Sequence, residues 1–196
     1  MSLPQRMESP GAAVVLQRPT IKGMLVNSHV DAVRRSLGSL GVEQLADRMG
    51  HPVDYRDLEN VPLADEVRLI EHALDLLAPG AVSADQRSFE AGRLHFRNFT
   101  TTPWARILFT IFPRNFGYMI THARLIAERV FRGVRFTHDE LGPGHVRVVM
   151  ENTDYPLDHF RGLFQEWMAY FGLEGDVQAH DAGDRRYEYD IRWSAP

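Results

Sequence analysis

Nine histidines, one lysine and no cysteine set the side-chain chemistry open to this 196-residue chain. The histidines are His29, His51, His72, His95, His122, His138, His145, His159 and His180. No two of them stand in the H-x-x-x-H or H-E-x-x-H spacing that puts two imidazoles on one helical face to grip zinc. The nearest approach is His138-Asp139-Glu140 set against His145 across a turn. Neighbouring residues of a strand point to opposite faces, so Asp139 cannot join His138 on one ion. No metal ligand is expected. The absence of cysteine excludes a disulfide scaffold, a thiolate zinc site, an iron–sulfur cluster and a cysteine nucleophile. Lys22 lies outside any G-x-x-x-x-G-K-[ST] phosphate loop, and no G-x-S-x-G elbow presents a serine; Gly38-Ser39 falls between helices. Two acid pairs, Asp65-Glu66 and Glu151 with Asp154, would serve general acid chemistry only if buried together, and are read as solvated faces. The chain is expected not to be an enzyme.

Aromatic and methionine side chains point to a different chemistry. Phe96, Phe99, Trp104, Phe109, Phe112, Phe116, Tyr118 and Met119 crowd into one stretch of helical pattern, the composition of a core or of an apolar ligand pocket between helices. The candidate ligand-binding residues are His95, Trp104, Phe112, Phe116, Met119, His122 and Ile126, the two histidines supplying the few polar groups. Arg124, Arg129, Arg132 and Arg135 are read as charges flanking an apolar helix and paired with acids.

The elements that must position these residues are legible from periodicity. Asn27-Ser28 has N-cap chemistry for a helix to about Leu37, ended by Gly38; Gly41 to Met49 is a second helix and Leu63 to Leu77 a third. Ser83-Ala84-Asp85 opens a fourth that carries Phe89, Gly92, Phe96 and Phe99, and Trp104 to Phe112 is a fifth. Pro113 reads as the first-turn proline of a long sixth helix to about Arg132. The period then changes to two. Val134, Phe136 and His138, the turn Gly142-Pro143-Gly144, and Val146, Val148 and Met150 make one hairpin. A helix from Pro156 to Phe171 follows, and a second hairpin pairs Val177 and Ala179 with Tyr187, Tyr189, Ile191 and Trp193. The fold class is α+β: helices first, then β-β-α-β-β giving an antiparallel sheet of about four strands packed on the long helix. Residues 1–18 are expected as a flexible tail and 19–196 as one domain.

A formal net charge of −4 gives no overall pull toward nucleic acid. No run approaches the ~18 apolar residues of a membrane span, and Ala12 to Leu16 is too short for a signal peptide, so a cytoplasmic location is expected.

The order Lys22-Gly23, then Arg114-Asn115-Phe116, then Tyr189-Asp190-Ile191-Arg192-Trp193 resembles a myxobacterial paralogous family of no assigned function. The stretch from Gly92-Arg93 to Trp193 resembles the wider superfamily of haem nitric-oxide/oxygen-binding sensor domains, 4-vinyl-reductase ligand-binding domains and vesicle-tethering subunits. The resemblance implies an apolar cavity between a long helix and the sheet, used in relatives for haem, acyl chains or small aromatic ligands. Two departures bear on haem. The proximal histidine of the haem-binding branch falls on Ala127, and its Tyr-x-Ser-x-Arg signature falls on Met150, Asn152 and Asp154. An acid in place of the arginine repels a propionate, and His122, five residues before Ala127, points about 140° away around the helix. No cofactor is expected and haem is disfavoured. The reading is a sensory or regulatory module for a small apolar or amphipathic ligand, with a signalling protein as partner or a homodimer as its assembly. An interaction or dimerisation module with a filled core is the alternative.

Overall fold

A computed structural model describes residues 18–80, 82–84, 86–111 and 115–194. The expected tail, apart from Arg18, lies outside the described residues, as do Phe112 and Pro113.

The chain enters through a short strand, β1 (Thr20–Lys22), and turns at once into helix α1 (Gly23–Met49). Helix α1 starts earlier than its cap-like Asn27-Ser28 suggests because those side chains are committed elsewhere. Asn27 Nδ2 donates to the Tyr55 carbonyl at 2.7 Å, and Ser28 Oγ to the Leu25 carbonyl at 2.6 Å. Gly38 breaks the helix as expected, at φ 69° and ψ −161°, and Gly50 closes it in the left-handed region.

Strand β1 pairs on one side with β2 (Asn60–Pro62) and on the other with β3 (Phe131–Arg132), so that Ile21 lies opposite Val61 and Phe131. Periodicity gives no warning of this small sheet, since strands of two or three residues are too short to show an alternation.

Helices α2 (Leu63–Leu77), α3 (Arg87–Thr100), α4 (Pro103–Ile111) and α5 (Phe116–Val130) follow the expected apolar stripes. Helix α5 is shorter than the run from Pro113 to Arg132. Asn115 Oδ1 accepts the Tyr118 amide at 3.0 Å and fixes the start, and Phe131 leaves the helix extended to join β1. Asn115→Ala is expected to cost about 1 kcal/mol, read from the urea midpoint by far-UV circular dichroism.

The second half is a four-stranded antiparallel sheet in the order β4-β5-β7-β6, from β4 (Arg135–Gly142), β5 (His145–Glu151), β6 (Glu174–Asp181) and β7 (Arg186–Ser194). Val146, Val148 and Met150 pair with Ile191, Tyr189 and Tyr187, placing six large side chains on one face. Helix α6 (Leu157–Tyr170) covers that face: Phe164 meets the Tyr189 ring at 5.4 Å, and the Tyr189 hydroxyl donates to the Leu157 carbonyl. Helix α5 packs against the edge strand β4.

Helices α3 and α6 cross at backbone distance. A Cβ on Gly92 would lie 1.7 Å from the His159 carbonyl oxygen, and one on Gly162 would lie 2.0 Å from that of Phe89. This crossing brings His95 of α3 beside His159 of α6. Among the described residues no helix is long and apolar enough to cross a membrane.

Candidate functional site

Between α5, α3, α6 and the β4 edge lies a cavity of about 120 Å³. Its wall from α5 carries Met119, Ile120, Ala123, Ile126, Ala127 and Val130; Phe96 and Phe99 face it from α3, Leu108 and Phe109 from α4, and Phe160, Phe164 and Trp167 from α6. Phe136 and Val148 close the sheet side. The polar side chains on the wall are His95, Arg124, Thr137 and His138, so the space is largely apolar. Its α5 side exists because the 3.6-residue period of that helix sets small Ala123 and Ala127 one turn apart on the face turned inward.

The candidate residues divide around this cavity. His95, Met119 and Ile126 line it. Phe116 is buried outside its wall, with its ring 5.5 Å from that of Trp167 and 5.0 Å from that of Trp193. Trp104 lines a separate, more polar cleft with Asp31, Arg34, Asp54 and Asp57. His122 stacks on Tyr118 at 4.0 Å and its Nδ1 donates to the Tyr118 carbonyl, along α5 instead of into the cavity. Phe112 lies outside the described residues.

Behind His95 the structure assembles a polar cluster that periodicity alone leaves dispersed. His29 of α1, Glu66 of α2, His95 and Asn98 of α3, and Tyr155 and His159 beside and on α6 are all buried. His29 Nε2 lies 2.9 Å from Glu66 Oε1, His95 Nδ1 lies 3.5 Å from the same oxygen, and His159 Nε2 lies 3.1 Å from His95 Nδ1. Asn98 Nδ2 is 3.0 Å from His29 Nδ1. A carboxylate only accepts, so His29 donates from Nε2 to Glu66.

The electrostatics follow from this packing. Burial alone pushes the Glu66 carboxyl up, but the facing His95, the bond from His29 and the more distant His159 outweigh it and bring its pKa down to about 2. Burial lowers His95 to about 4, against the pull of Glu66. Burial and the neighbouring His95 lower His159 to about 3. Burial and Glu66 push the Tyr155 phenol well above its ordinary value. The Tyr155 hydroxyl and the Glu66 carboxylate interact through a weak side-chain hydrogen bond that falls short of good geometry.

Glu66 corrects the reading of Asp65-Glu66 as a solvated pair. Asp65 pairs with Arg68, but Glu66 is fully buried. The signal was in the stripe itself: Glu66 stands at helical spacing from Leu63, Leu69, Ile70 and Ala73, and His29 from Leu25, Val26, Ala32 and Val33. A charged residue on an otherwise apolar stripe is a buried one. Elsewhere, several of the acids and bases form pairs, though no ion pair of Arg129 or Arg132 is seen among the described residues. Glu151 is bound by Arg135 and Arg186, Asp154 by Arg185, and Arg124 pairs with Glu128. On the first hairpin His138 faces Val148, while His145 bonds Asp190.

Comparison with known proteins adds the fold. An oxygen-binding H-NOX domain related to soluble guanylate cyclases superposes with a TM-score of 0.65 at 17% identity, covering 90% of this chain and 96% of that one. A variant of the T. Tengcongensis H-NOX gives 0.63 at 17%, covering 90% and 99%, and the Fe(II) unliganded H-NOX protein from K. algicida gives 0.60 at 13%, covering 90% and 98%. The fold is therefore H-NOX-like. No curated protein matches the sequence. The family model described as "Protein of unknown function (DUF2378)" matches residues 15–194, nearly the whole chain, and it is to this family that the protein belongs.

Proposed function

We propose that the chain is a non-enzymatic sensory module that binds a small apolar or amphipathic ligand in the cavity between α5 and the sheet and passes the occupied state to a protein partner. The cavity carries this reading. Protein interiors pack with few voids larger than a water molecule, and an apolar void of ~150 Å³ stays dry and takes up benzene or xenon. A largely apolar space of about 120 Å³ suits a ligand of similar size, about six to ten heavy atoms, with His95 as the polar contact. The H-NOX neighbours, one of them described as oxygen binding, support a ligand-binding use of the fold. The partly open cavity also favours this reading over an interaction module with a filled core.

Haem does not suit the residues present. By the resemblance, the position of its axial ligand falls on Ala127, a residue of the cavity wall. Asp154 is bound to Arg185, so no free cation is provided there for a propionate. The volume is also well below the ~300 Å³ at which drug-sized ligand pockets begin.

Indole and benzene are suitable probes, read by thermal shift and by the fluorescence of Trp167 on the cavity wall. At ten times Kd, binding is expected to add about 1.4 kcal/mol, a Tm rise of about 3–5 °C. Ala127→Phe fills the space and is expected to weaken binding at least tenfold while the chain stays folded. Equal binding by the filled variant, or no saturable binding by the parent, would overturn the proposal.

A further inference from the structure

We propose that His29, Glu66 and His95 form a binding site for one divalent transition-metal ion of the zinc class, buried where α1, α2 and α3 meet. The three side chains offer two imidazole nitrogens and a carboxylate oxygen, and these atoms lie within 4.8 Å of one another. Zinc binds nitrogen and oxygen at ~2.0–2.1 Å, so the edges of its tetrahedron are ~3.3 Å long. The 2.9 Å between His29 Nε2 and Glu66 Oε1 and the 3.5 Å between Glu66 Oε1 and His95 Nδ1 straddle that length. The third pair, His29 with His95, lies within 4.8 Å, so the two rings close on the ion as it binds.

A second observation points the same way. Glu66 is fully buried, and its Oε2 makes no hydrogen bond of good geometry, the buried Tyr155 hydroxyl reaching the carboxylate only weakly. Every ionic contact of the carboxylate is to a histidine; no lysine or arginine reaches it among the described residues. The carboxylate and the two rings thus hold three donor atoms together in one buried site, and a divalent cation can use those same atoms.

Protons balance locally. The hydrogen between His29 Nε2 and Glu66 Oε1 moves to Nδ1 of the same ring, where Asn98, its amide turned to present Oδ1, accepts it. The hydrogen between His95 Nδ1 and His159 Nε2 moves to the far nitrogen of the ring that carries it. His29, Glu66 and His95 are then ligands, and Asn98 is a positioning residue. The cavity reading is independent of this site, touching it only through His95.

The test is refolding of the full chain from urea and chelator with no metal, with Zn²⁺ or with Co²⁺. The expected result is one ion per chain by native mass spectrometry, a visible Co²⁺ spectrum of a low-coordinate nitrogen and oxygen site, and a Tm raised by more than 5 °C. Glu66→Gln and His29→Gln are expected to weaken binding at least 100-fold. Asn98→Leu is expected to weaken it 10–100-fold, with Asn98→Asp restoring it, because a carboxylate orients the His29 ring as the amide does. His145→Ala, on the hairpin, is expected to leave it unchanged. If the ligand variants fail to fold, the stoichiometry and Co²⁺ spectrum of the parent and of His145→Ala decide. Substoichiometric binding, an unchanged Tm, or loss of the ion in His145→Ala would overturn the site, whatever the outcome with indole.

Discussion

Gly92→Ala is expected to leave the chain without a stable fold. The added methyl would sit 1.7 Å from the His159 carbonyl oxygen and 2.7 Å from its carbon, and both belong to the backbone of the first turn of α6. No rotamer change relieves such an overlap; α3 and α6 must move apart. That separation opens the packing of Phe96 on Trp167, whose rings stack at 5.8 Å, and pulls His95 from His159. A loss above about 4 kcal/mol is expected, a large part of the roughly 5–15 kcal/mol that holds a domain folded. Gly162→Ala, which meets the Phe89 carbonyl oxygen at 2.0 Å, is expected to do the same from the other helix. Gly117→Ala is the control. Its methyl meets an edge atom of the Trp193 ring at 3.1 Å, a side chain able to yield, and it gains helix propensity, so a net change within about 1 kcal/mol is expected. Soluble yield and urea midpoints by circular dichroism check all three. A Gly92→Ala protein melting within a few degrees of the parent would show that the crossing has slack.

Acid is expected to unfold the metal-free protein well above the pH at which carboxylates alone would do so. His95 falls from an unfolded value of 6.5 to about 4 in the native state, and His159 to about 3. The native state therefore binds fewer protons than the unfolded one, and stability rises with pH across that window. It is fully present above about 6.5 and is lost progressively as pH falls toward the native values. Glu66, lowered from 4.5 to about 2, acts in the same direction further down. One pKa unit corresponds to about 1.4 kcal/mol, so each histidine alone accounts for on the order of 3 kcal/mol by pH 4. The groups facing one another are His29, Glu66, His95, Tyr155 and His159, packed from four helices and the segment before α6. Urea midpoints in chelator at pH 7, 6, 5 and 4 are expected to fall steadily, and His159→Gln to flatten the decline. A midpoint constant from pH 7 to pH 5 would contradict the burial of these rings.

The two expectations share a cause in how helices meet, and that is where reading by periodicity stops. Apolar repeats locate α2, α3 and α6, and alternation locates both hairpins, because each reports one face of one element against water. The boundaries of α1 and α5 escaped it. Asn27 and Ser28 cap nothing, and Phe131 leaves its helix for a strand whose partner, Ile21, lies far away in the sequence. His95, Met119 and Ile126 were legible as cavity residues from local composition. Trp104 has the same composition and lines another cleft, since composition does not say which way a helix turns its face.

The sequence by itself determined the class of fold and the absence of thiolate and nucleophile-elbow motifs. Those follow from residue types and near-neighbour spacing. Tertiary structure alone decided that a partly open cavity remains among the aromatic rings, and that His29, Glu66, His95 and His159, which are separated by 37 positions in one pair and 64 in another, share one buried site. The reason is that burial and close approach are properties of packed helices. Two glycines, by allowing α3 and α6 to touch through their backbones, set the distance between rings that the chain keeps far apart.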